Sequence, residues 1–270
     1  MKFLFLILLV LMMESRMRAD KNYLIHVGHS TVFIHLDGRN IITDPNWNNK
    51  NLFLKRITPP PFGPEQLPLI DLVLVSHGHF DHMDIPTLEK IYRINNKVMI
   101  YVPENLGSVL KRSGITNYKE LTDSQSVPFE NIIIESHKAK HDGRRYVIDN
   151  TGLSLCFLIK GSKTLFFSGD TGYTDLFKTL GRQQKIDIAM IMIGGWKIPY
   201  LFQSTHLRPS EAIQVFLDLK AKRLLPIHYD TFPLGREKKG ESVELLKYHA
   251  RKLKLEKKLI INKFGDKIFF

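Results

Sequence analysis

A short run of potential metal ligands directly after an apolar strand constrains this chain more than any other feature. Residues 71–76 are mostly apolar, as expected for a strand of a sheet that is covered on both faces. They lead into His77-Gly78-His79-Phe80-Asp81-His82, where three histidines and one aspartate occur within six residues. Because α/β folds place their sites at the carboxyl ends of strands, the sequence predicts a metal site here.

The spacing within this run favours two ions side by side. In an extended segment His77 and His79 point the same way, so both can reach one ion. Asp81 and His82, where the chain turns, can supply a second ion. Imidazole and carboxylate suit zinc. The only cysteine is Cys156, which excludes a multi-cysteine zinc site, so a metal must be held by histidine and aspartate.

Apolar strand-like segments alternate with helical ones along the chain, which is typical of a mixed α/β fold with layered sheets and helices. Strands are predicted at residues 23–27, 31–36, 41–43, 71–76, 97–102, 132–136, 153–159, 164–168, 186–193 and 224–227, with two more around Gly265. Helices are predicted at residues 86–94, 104–112, 209–220 and 241–254. Residues 46–68 are rich in Asn and Pro, a composition that predicts a long surface loop. No linker divides the chain, so residues 21–270 are predicted to be one domain.

The first twenty residues have a different character. Met1 and Lys2 precede eleven apolar residues, 3–13, which is the layout of a secretory signal peptide. This run is too short to span the bilayer as a helix, which takes about 20 residues. We expect residues 1–20 to be a signal peptide or membrane-targeting leader, and the protein to be exported or membrane-associated. An uncleaved tether and a plain core segment of a cytoplasmic protein are the alternatives.

The chain is strongly basic, with 39 Lys and Arg against 27 Asp and Glu, a net charge of +12 and a pI near 9.6. This charge favours anionic partners: a phospholipid or other anionic small-molecule substrate, and peripheral contact with an anionic membrane surface. Residues 236–258 hold nine of the basic residues against four Glu; they form either a solvated helix face or such a contact. No nucleic acid is expected, since no aromatic and basic stripe interrupts the chain. A homodimer is possible.

The run from His77 to His82 has the pattern H-x-H-x-D-H and resembles the signature of the metallo-β-lactamase superfamily. This resemblance implies an αβ/βα four-layer sandwich and a centre of two Zn²⁺ per chain. Later residues match the family's remaining ligands in order. The ligand set that the resemblance implies is His77, His79 and His141 on one zinc, Asp81, His82 and His228 on the other, and Asp170 shared by both.

The third histidine of the first zinc has a rival in the sequence. His137 precedes His141 by four residues and could take the same place. His141 is preferred, because Arg144 and Arg145 match the family's habit of an arginine shortly after this ligand.

Within the superfamily the chain is most similar to the group of phospholipases D that hydrolyse N-acyl-phosphatidylethanolamine. The likeness is carried by the segments Gly28-His29-Ser30-Thr31-Val32, Thr43-Asp44-Pro45, Gly169-Asp170-Thr171-Gly172-Tyr173, His206 ahead of a P-x-E-A helix, and Ile227-His228-Tyr229-Asp230-Thr231-Phe232. It implies a zinc-dependent phosphodiesterase that uses a metal-bridged hydroxide and releases an N-acylethanolamine and phosphatidic acid. Phe80 stands where the animal enzymes have tyrosine, which leaves the lipid substrate open.

Two residues are expected to be catalytic. Asp81 would orient the nucleophile as well as bind zinc, and His206 would hydrogen-bond a phosphate oxygen, unless it is only a polar neighbour of the following helix. His29 either supports the loops beneath the metals or acts directly. A metal-dependent lactonase or sugar-phosphate hydrolase of the same fold is the alternative function, and a nuclease is less expected.

Overall fold

The computed structural model describes residues 21–145, 152–197 and 205–270, so the predicted leader at residues 1–20 lies outside the described residues. The strands within them are Tyr23–Gly28 (β1), Thr31–Leu36 (β2), Arg39–Thr43 (β3), Lys50–Asn51 (β4), Leu54–Lys55 (β5), Leu72–Leu74 (β6), Met99–Pro103 (β7), Tyr118–Leu121 (β8), Gln125–Phe129 (β9), Ile132–Lys138 (β10), Leu155–Lys160 (β11), Thr164–Phe167 (β12), Ile188–Met192 (β13), Arg223–Ile227 (β14) and Lys267–Phe269 (β15). The α-helices are Ile85–Ile94 (α1), Gly107–Arg112 (α2), Leu176–Gln183 (α3), Pro209–Asp218 (α4) and Glu241–Lys252 (α5). Short 3-10 helices cover Pro64–Gln66 and Glu256–Lys258.

The strands form two large sheets and one small hairpin. The first sheet has the order β15-β1-β2-β3-β6-β7-β8, antiparallel through β3 and parallel from β3 to β8. The second has the order β14-β13-β12-β11-β10-β9, with its parallel part at β12, β13 and β14. Within the described residues, strands β4 and β5 pair only with each other.

Alternating side chains of the first sheet face two different cores. In β2, Val32 and Ile34 join the large cluster that unites the two sheets, whereas Phe33 joins a second cluster with residues of α1 and α2. Helices α3, α4 and α5 contribute residues such as Phe216 to the large cluster from beyond the second sheet. Each fully buried side chain of this size stabilises the fold by about 1.5–3 kcal/mol. The layers are therefore helices, sheet, sheet and helices, the four-layer sandwich that the sequence predicted.

Some elements were missed or misplaced by the sequence analysis. Strands β8 and β9 were not predicted, because they lie at the sheet edges and each buries only one side chain; β9 even contains Pro128, which edge strands tolerate. Helix α3 was missed as well. Of the two strands expected around Gly265, only β15 forms, since Leu259 ahead of it makes no more than an isolated bridge to Leu224.

None of the helices in the described part of the chain is long and apolar enough to cross a membrane. Helix α1 begins directly behind the histidine run. The carboxylate of Asp84 accepts a hydrogen bond from the amide of Thr87 at 3.2 Å, and Pro86 occupies the first turn. The start of this helix thus limits the histidine run to a short, fixed loop.

Candidate metal centre

Loops at the carboxyl ends of four strands bring the predicted ligands together. Strands β10 and β12 both run antiparallel to β11, and β12 runs parallel to β14, so these three strands end at the same edge of the second sheet. Strand β6 of the first sheet ends opposite this edge. The seven predicted ligands follow these four strand ends and all belong to overlapping clusters of possible metal ligands: His77, His79, Asp81 and His82 after β6, His141 after β10, Asp170 after β12 and His228 after β14.

One cluster consists of three histidines. The Nε2 atom of His77 lies 3.0 Å from Nδ1 of His79, and the same Nδ1 lies 3.2 Å from Nε2 of His141. Nitrogen ligands around one tetrahedral zinc, each about 2.05 Å from the ion, are about 3.3 Å apart. Both distances from Nδ1 of His79 are close to this spacing, and all three nitrogens lie within 4.8 Å of one another, as one ion requires.

A second cluster combines histidines with carboxylates. Oδ2 of Asp170 lies 3.3 Å from Nε2 of His82 and 3.1 Å from Nε2 of His228. Oδ2 of Asp81 lies 3.5 Å and 3.8 Å from the same two nitrogens. Because Asp170 also forms a cluster with His77 and His82, it stands between the two groups.

Several of these donor atoms are buried without a hydrogen-bond partner. Within the described residues they include Nε2 of His82, Nε2 of His228 and Oδ1 of Asp170. Buried polar atoms are nearly always paired in folded proteins, so orphaned atoms that converge on one point indicate an absent ligand. Imidazole and carboxylate donors suit zinc, and these residues fit the two metal ions that the sequence predicted.

Asp44 orients one histidine in each cluster. Its Oδ2 accepts hydrogen bonds from Nδ1 of His82 and from Oγ of Ser76, both at 2.6 Å. The Ser76 oxygen in turn accepts a hydrogen bond from Nδ1 of His77 at 2.9 Å. Both imidazoles are thereby held with Nε2 towards the centre, the usual role of outer-shell carboxylates. No role was predicted for Asp44 from the sequence, although an aspartate directly after a buried strand was a usable signal.

His29 lies beneath the second cluster, fully buried, and supports Asp81. Its Nε2 is 3.0 Å from Oδ2 of Asp81, its amide donates to Oγ1 of Thr231 at 2.7 Å, and its carbonyl accepts from the amide of His228 at 2.8 Å. Burial, reinforced by the neighbouring His228, lowers the pKa of His29 to about 3. A neutral His29 can donate Nε2–H to the Asp81 carboxylate. His29 also belongs to a cluster with Asp81, His82 and His228. Its position therefore fits both predicted roles, support of the loops beneath the metals and direct participation.

Arg145 stabilises the loop of residues 77–83 without belonging to the ligand clusters. Its Nη1 donates to the carbonyls of Gly78 at 2.9 Å and Met83 at 2.8 Å, and its guanidinium lies 4.2 Å from the centroid of the Phe80 ring. A Cβ on Gly78 would lie 2.8 Å from the carbonyl oxygen of Gly143, which explains the glycine. The arginine that follows His141 thus has a structural reason to be there.

His206 lies at the rim of the centre, whereas His137 lies apart from it. Nε2 of His206 is 3.4 Å from Oδ2 of Asp170, and its side chain is 14% exposed. It also clusters with His141 and Asp170. His137 belongs to none of the clusters; it lines a surface cavity of about 430 Å³ together with Asp123. His141, not His137, therefore stands in the third-histidine position.

The two clusters differ in their protonation. Burial lowers the pKa of His77, His79 and His141, that of His141 to about 3. Burial also opposes charge on His228, but the carboxylate of Asp170 prevails and raises its pKa to about 9. The pKa of His82 is raised well above its ordinary value in the same way.

The match to known proteins agrees with this geometry. The family description of the beta-lactamase superfamily domain matches residues 39–229. The chain belongs to this superfamily. The resemblance inferred from the H-x-H-x-D-H pattern is thereby confirmed.

Curated relatives of this superfamily member include two phospholipases. N-acyl-phosphatidylethanolamine-hydrolyzing phospholipase D 1 of Caenorhabditis elegans is 33% identical over 227 residues, covering 77% of this chain and 64% of that protein. The mitochondrial enzyme of that name from Saccharomyces cerevisiae is 32% identical over 225 residues, covering 78% and 48%. A UPF0173 metal-dependent hydrolase of Hyperthermus butylicus is 27% identical over 253 residues, covering 90% and 97%. The chain thus spans less than two thirds of the length of either phospholipase.

Solved structures confirm the fold of this superfamily member. An isothiocyanate hydrolase from Delia radicum gut bacteria superposes with a TM-score of 0.75 at 16% identity, covering 92% of this chain and 99% of that one. Igni18, a metallo hydrolase of Ignicoccus hospitalis, superposes with a TM-score of 0.73 at 20% identity, covering 93% and 98%. The predicted metallo-β-lactamase fold is therefore correct.

Proposed function

We propose that this chain is a metal-dependent phosphodiesterase of the phospholipase D type, which hydrolyses N-acyl-phosphatidylethanolamine to an N-acylethanolamine and phosphatidic acid. The observation that carries the proposal is the 33% identity over 227 residues with the phospholipase of C. elegans. The donor set of the metal centre and membership of the superfamily support the broader activity, a metal-dependent hydrolase. The basic surface of the chain suits a phosphate-bearing substrate.

Zinc is the proposed metal, with two ions per chain. When bound, such a pair supplies Lewis acids and lowers the pKa of the attacking water. His77, His79 and His141 would hold one ion, and the cluster around His82 and His228 the other, with Asp170 between them.

Asp81 is the proposed orienting group for the attacking water. Its Oδ2 accepts a hydrogen bond from His29, which favours the orientation of the carboxylate towards the centre. The histidines His82 and His228 hold the pKa of Asp81 well below its ordinary value despite its burial. An ionised, fixed carboxylate can accept a hydrogen bond from the water and keep a lone pair of that oxygen aimed at the phosphorus.

His206 is the proposed phosphate ligand among the side chains. It stands at the open side of the centre, near Asp170, and its Nδ1 lies 3.2 Å from Oγ1 of Thr205. A ring fixed in this way can direct Nε2–H to a non-bridging phosphate oxygen. That contact would strengthen as negative charge grows on the oxygen in the transition state.

A second candidate is a hydrolase of the same fold acting on a lactone or a sugar phosphate. The metal-dependent hydrolase of H. butylicus, which aligns over 97% of its own length, supports the broader class of metal-dependent hydrolase to which this candidate also belongs. The two candidates share the metal centre and differ in the substrate alone, so only turnover can separate them.

The test begins with the purified full chain. Elemental analysis should find close to two zinc ions per chain, and mass spectrometry should find both lipid products after incubation with N-acyl-phosphatidylethanolamine. Zinc without lipid turnover, but with turnover of a lactone or sugar phosphate, would establish the second candidate. A chain that binds no metal would contradict both.

Export or membrane association through residues 1–20 is also a proposal. Sequencing the amino terminus of the mature protein, purified from its own cells, tests it. A mature chain that starts shortly before Asn22 is expected from cleavage of a signal peptide. A chain that still starts at Met1 and fractionates with soluble protein would contradict both export and tethering.

A further inference from the structure

The hairpin β4–β5 presents large apolar side chains to solvent. Phe53 at its tip is 97% exposed and Leu52 is 61% exposed, while Ile57 just beyond the hairpin is 42% exposed. Single exposed apolar residues are ordinary on protein surfaces. Three within six residues, on a hairpin that pairs with no other strand in the described part of the chain, form an apolar projection.

The charge of this segment has one sign. Residues 46–64 contain three basic residues, Lys50, Lys55 and Arg56, and no Asp or Glu. Lys50 and Lys55 are exposed and are direct cross-strand partners in the hairpin register. Like charges directly opposite each other destabilise an antiparallel pair, so the isolated hairpin holds an unfavourable arrangement. An anionic surface at the base of the apolar tip would remove this repulsion.

The base of the hairpin is tied to the loops of the metal centre. The amide of Ile57 donates to the carbonyl of Thr231 at 2.8 Å, three residues after His228. The Arg56 guanidinium donates to the carbonyl of Asn46 at 2.7 Å, and the Asn46 amide group donates to the carbonyl of Asp81 at 3.0 Å. Ile57 and His228 also line one cleft. The projection therefore rises from the same side of the molecule as the metal ligands.

We propose that the hairpin β4–β5 is a membrane-contact element, which inserts Leu52 and Phe53 into the interface of an anionic bilayer while Lys50 and Lys55 contact its headgroups. Apolar groups of this kind enter the boundary between headgroups and acyl chains by roughly 5–10 Å. Each Lys near an anionic surface adds about a fivefold preference, the equivalent of 1 kcal/mol. The inference rests on the proposed function only in that a phospholipid substrate resides in a bilayer, which this contact would place before the metal centre.

The first test measures binding of the full chain to vesicles that contain no substrate. Vesicles of phosphatidylcholine with phosphatidylserine are compared with phosphatidylcholine alone, for the wild type and for Leu52→Asn with Phe53→Ser. Asparagine suits position 52 because Leu52 has a φ of +52°, in the left-handed region. We expect the double variant to bind anionic vesicles at least about tenfold more weakly, since two apolar side chains lose their burial in the interface. Lys50→Glu with Lys55→Glu should weaken the preference for phosphatidylserine by at least about 25-fold, fivefold for each lysine lost.

The matched control is Leu69→Ser. Leu69 is 60% exposed, almost the same as Leu52, but it precedes β6 and so lies at the opposite end of that strand from the histidine loop. Its replacement should leave vesicle binding unchanged. Equal loss in the Leu69 variant and in the hairpin variant would overturn the proposal.

A local probe separates the hairpin from other membrane-binding parts of the chain. In Phe53→Trp, lipids brominated on their acyl chains should quench the added tryptophan emission, after subtraction of the signal from Trp47 and Trp196 in the wild type. Absence of quenching would overturn the proposal even if the chain binds vesicles through residues 1–20.

Two other outcomes would overturn the proposal and identify a different contact surface. Loss of vesicle binding in Leu253→Ser, but not in the hairpin variant, would assign the membrane contact to the basic residues 236–258. If the hairpin variant changes the oligomeric state of the chain and still binds vesicles, the hairpin contacts a second copy of the chain instead of a membrane.

Failure here and failure of the proposed function are distinguishable. Binding and quenching are read without substrate, so they hold or fail regardless of which bond the enzyme cleaves. If the lipid is the substrate, the hairpin variant should lose turnover on vesicles and keep it on substrate dispersed in detergent micelles. Equal loss on both would contradict a membrane-contact role.

Discussion

The two ligand clusters of the metal centre use similar residue types, yet they differ in charge and in burial. His79 and His141 in the first cluster are partly exposed, and its three members are imidazoles with lowered pKa values. All members of the second cluster are buried, and it contains two carboxylates that raise the pKa of His82 and His228. The first cluster is a set of neutral ligands on the partly exposed side of the metal centre, whereas the second is a set of charged ligands on its buried side.

The difference in protonation affects how each cluster would bind its metal. Ligating histidines must be neutral, so a metal that enters the second cluster has to displace protons, while one that enters the first does not. Asp44 lies outside the two clusters but supports a histidine of each. It bonds His82 directly, and it bonds Ser76, which in turn bonds His77. Asp44 therefore serves both clusters, whereas each histidine serves one.

The largest effect is expected at the shared ligand. Asp170→Ala should abolish activity and lower the zinc content by one ion or more, because the carboxylate that stands between both clusters is lost. Elemental analysis and an activity assay measure this. Asp175→Asn is the matched control, since Asp175 lies on the same loop but is exposed at the start of α3. An Asp170→Ala chain with two zinc ions and full activity would disprove the shared role.

The next effect concerns the residue behind both clusters. Asp44→Asn should weaken zinc affinity by about 10–100-fold, the usual cost of losing an outer-shell partner. Competition with a chelator measures the affinity of each ion. We expect both ions to be weakened, because Asp44 holds His82 directly and His77 through Ser76. A loss confined to one ion would show that Asp44 serves a single cluster.

A smaller effect is expected at the rim. His206→Ala should lower kcat by roughly 100-fold, the lower end of the cost of one lost transition-state hydrogen bond, and leave the zinc content unchanged. His137→Ala is the matched control, because His137 was the rival ligand and lies outside the clusters. Loss of zinc in the His206 variant would make it a metal ligand. Loss of zinc in the His137 variant would contradict the ligand set.

The smallest effect is a difference in titration between the clusters of the metal-free protein. The pKa of His141, lowered by burial to about 3, means that this group stabilises the fold fully above its unfolded pKa of about 6.5. That contribution is lost as the pH falls towards about 3. The pKa of His228, raised to about 9 by Asp170 against the effect of burial, means the reverse. Its contribution is complete below about pH 6.5 and is lost as the pH rises through about 9.

Imidazole nitrogen chemical shifts, recorded by NMR across this pH range, measure both groups. His141 should stay neutral in mild acid, and His228 should stay protonated in mild base. Calorimetry in buffers of different ionisation enthalpy should then detect proton release when zinc enters the second cluster at neutral pH. Identical titration of the two histidines would remove the distinction between the clusters.

Much of the candidate centre was predictable because its ligands follow strand ends in a local pattern. His77, His79, Asp81 and His82 are close in the sequence, and the family pattern then pointed to the more distant ligands. The supporting residues were not predictable in the same way. His29 is 52 residues from Asp81, and Asp44 is 38 residues from His82, so no local spacing connects them.

Residue types and short-range periodicity were enough to predict the chemistry of the donors and the alternation of strands and helices. The superfamily was predicted from the resemblance of the H-x-H-x-D-H pattern to a known signature. The tertiary structure decided which histidine stands third, which carboxylate lies behind both clusters, and that Phe53 projects from a hairpin beside the centre. It also decided the edge strands β8 and β9. These features depend on contacts between residues far apart in the chain, and on which side chains remain exposed once those contacts form.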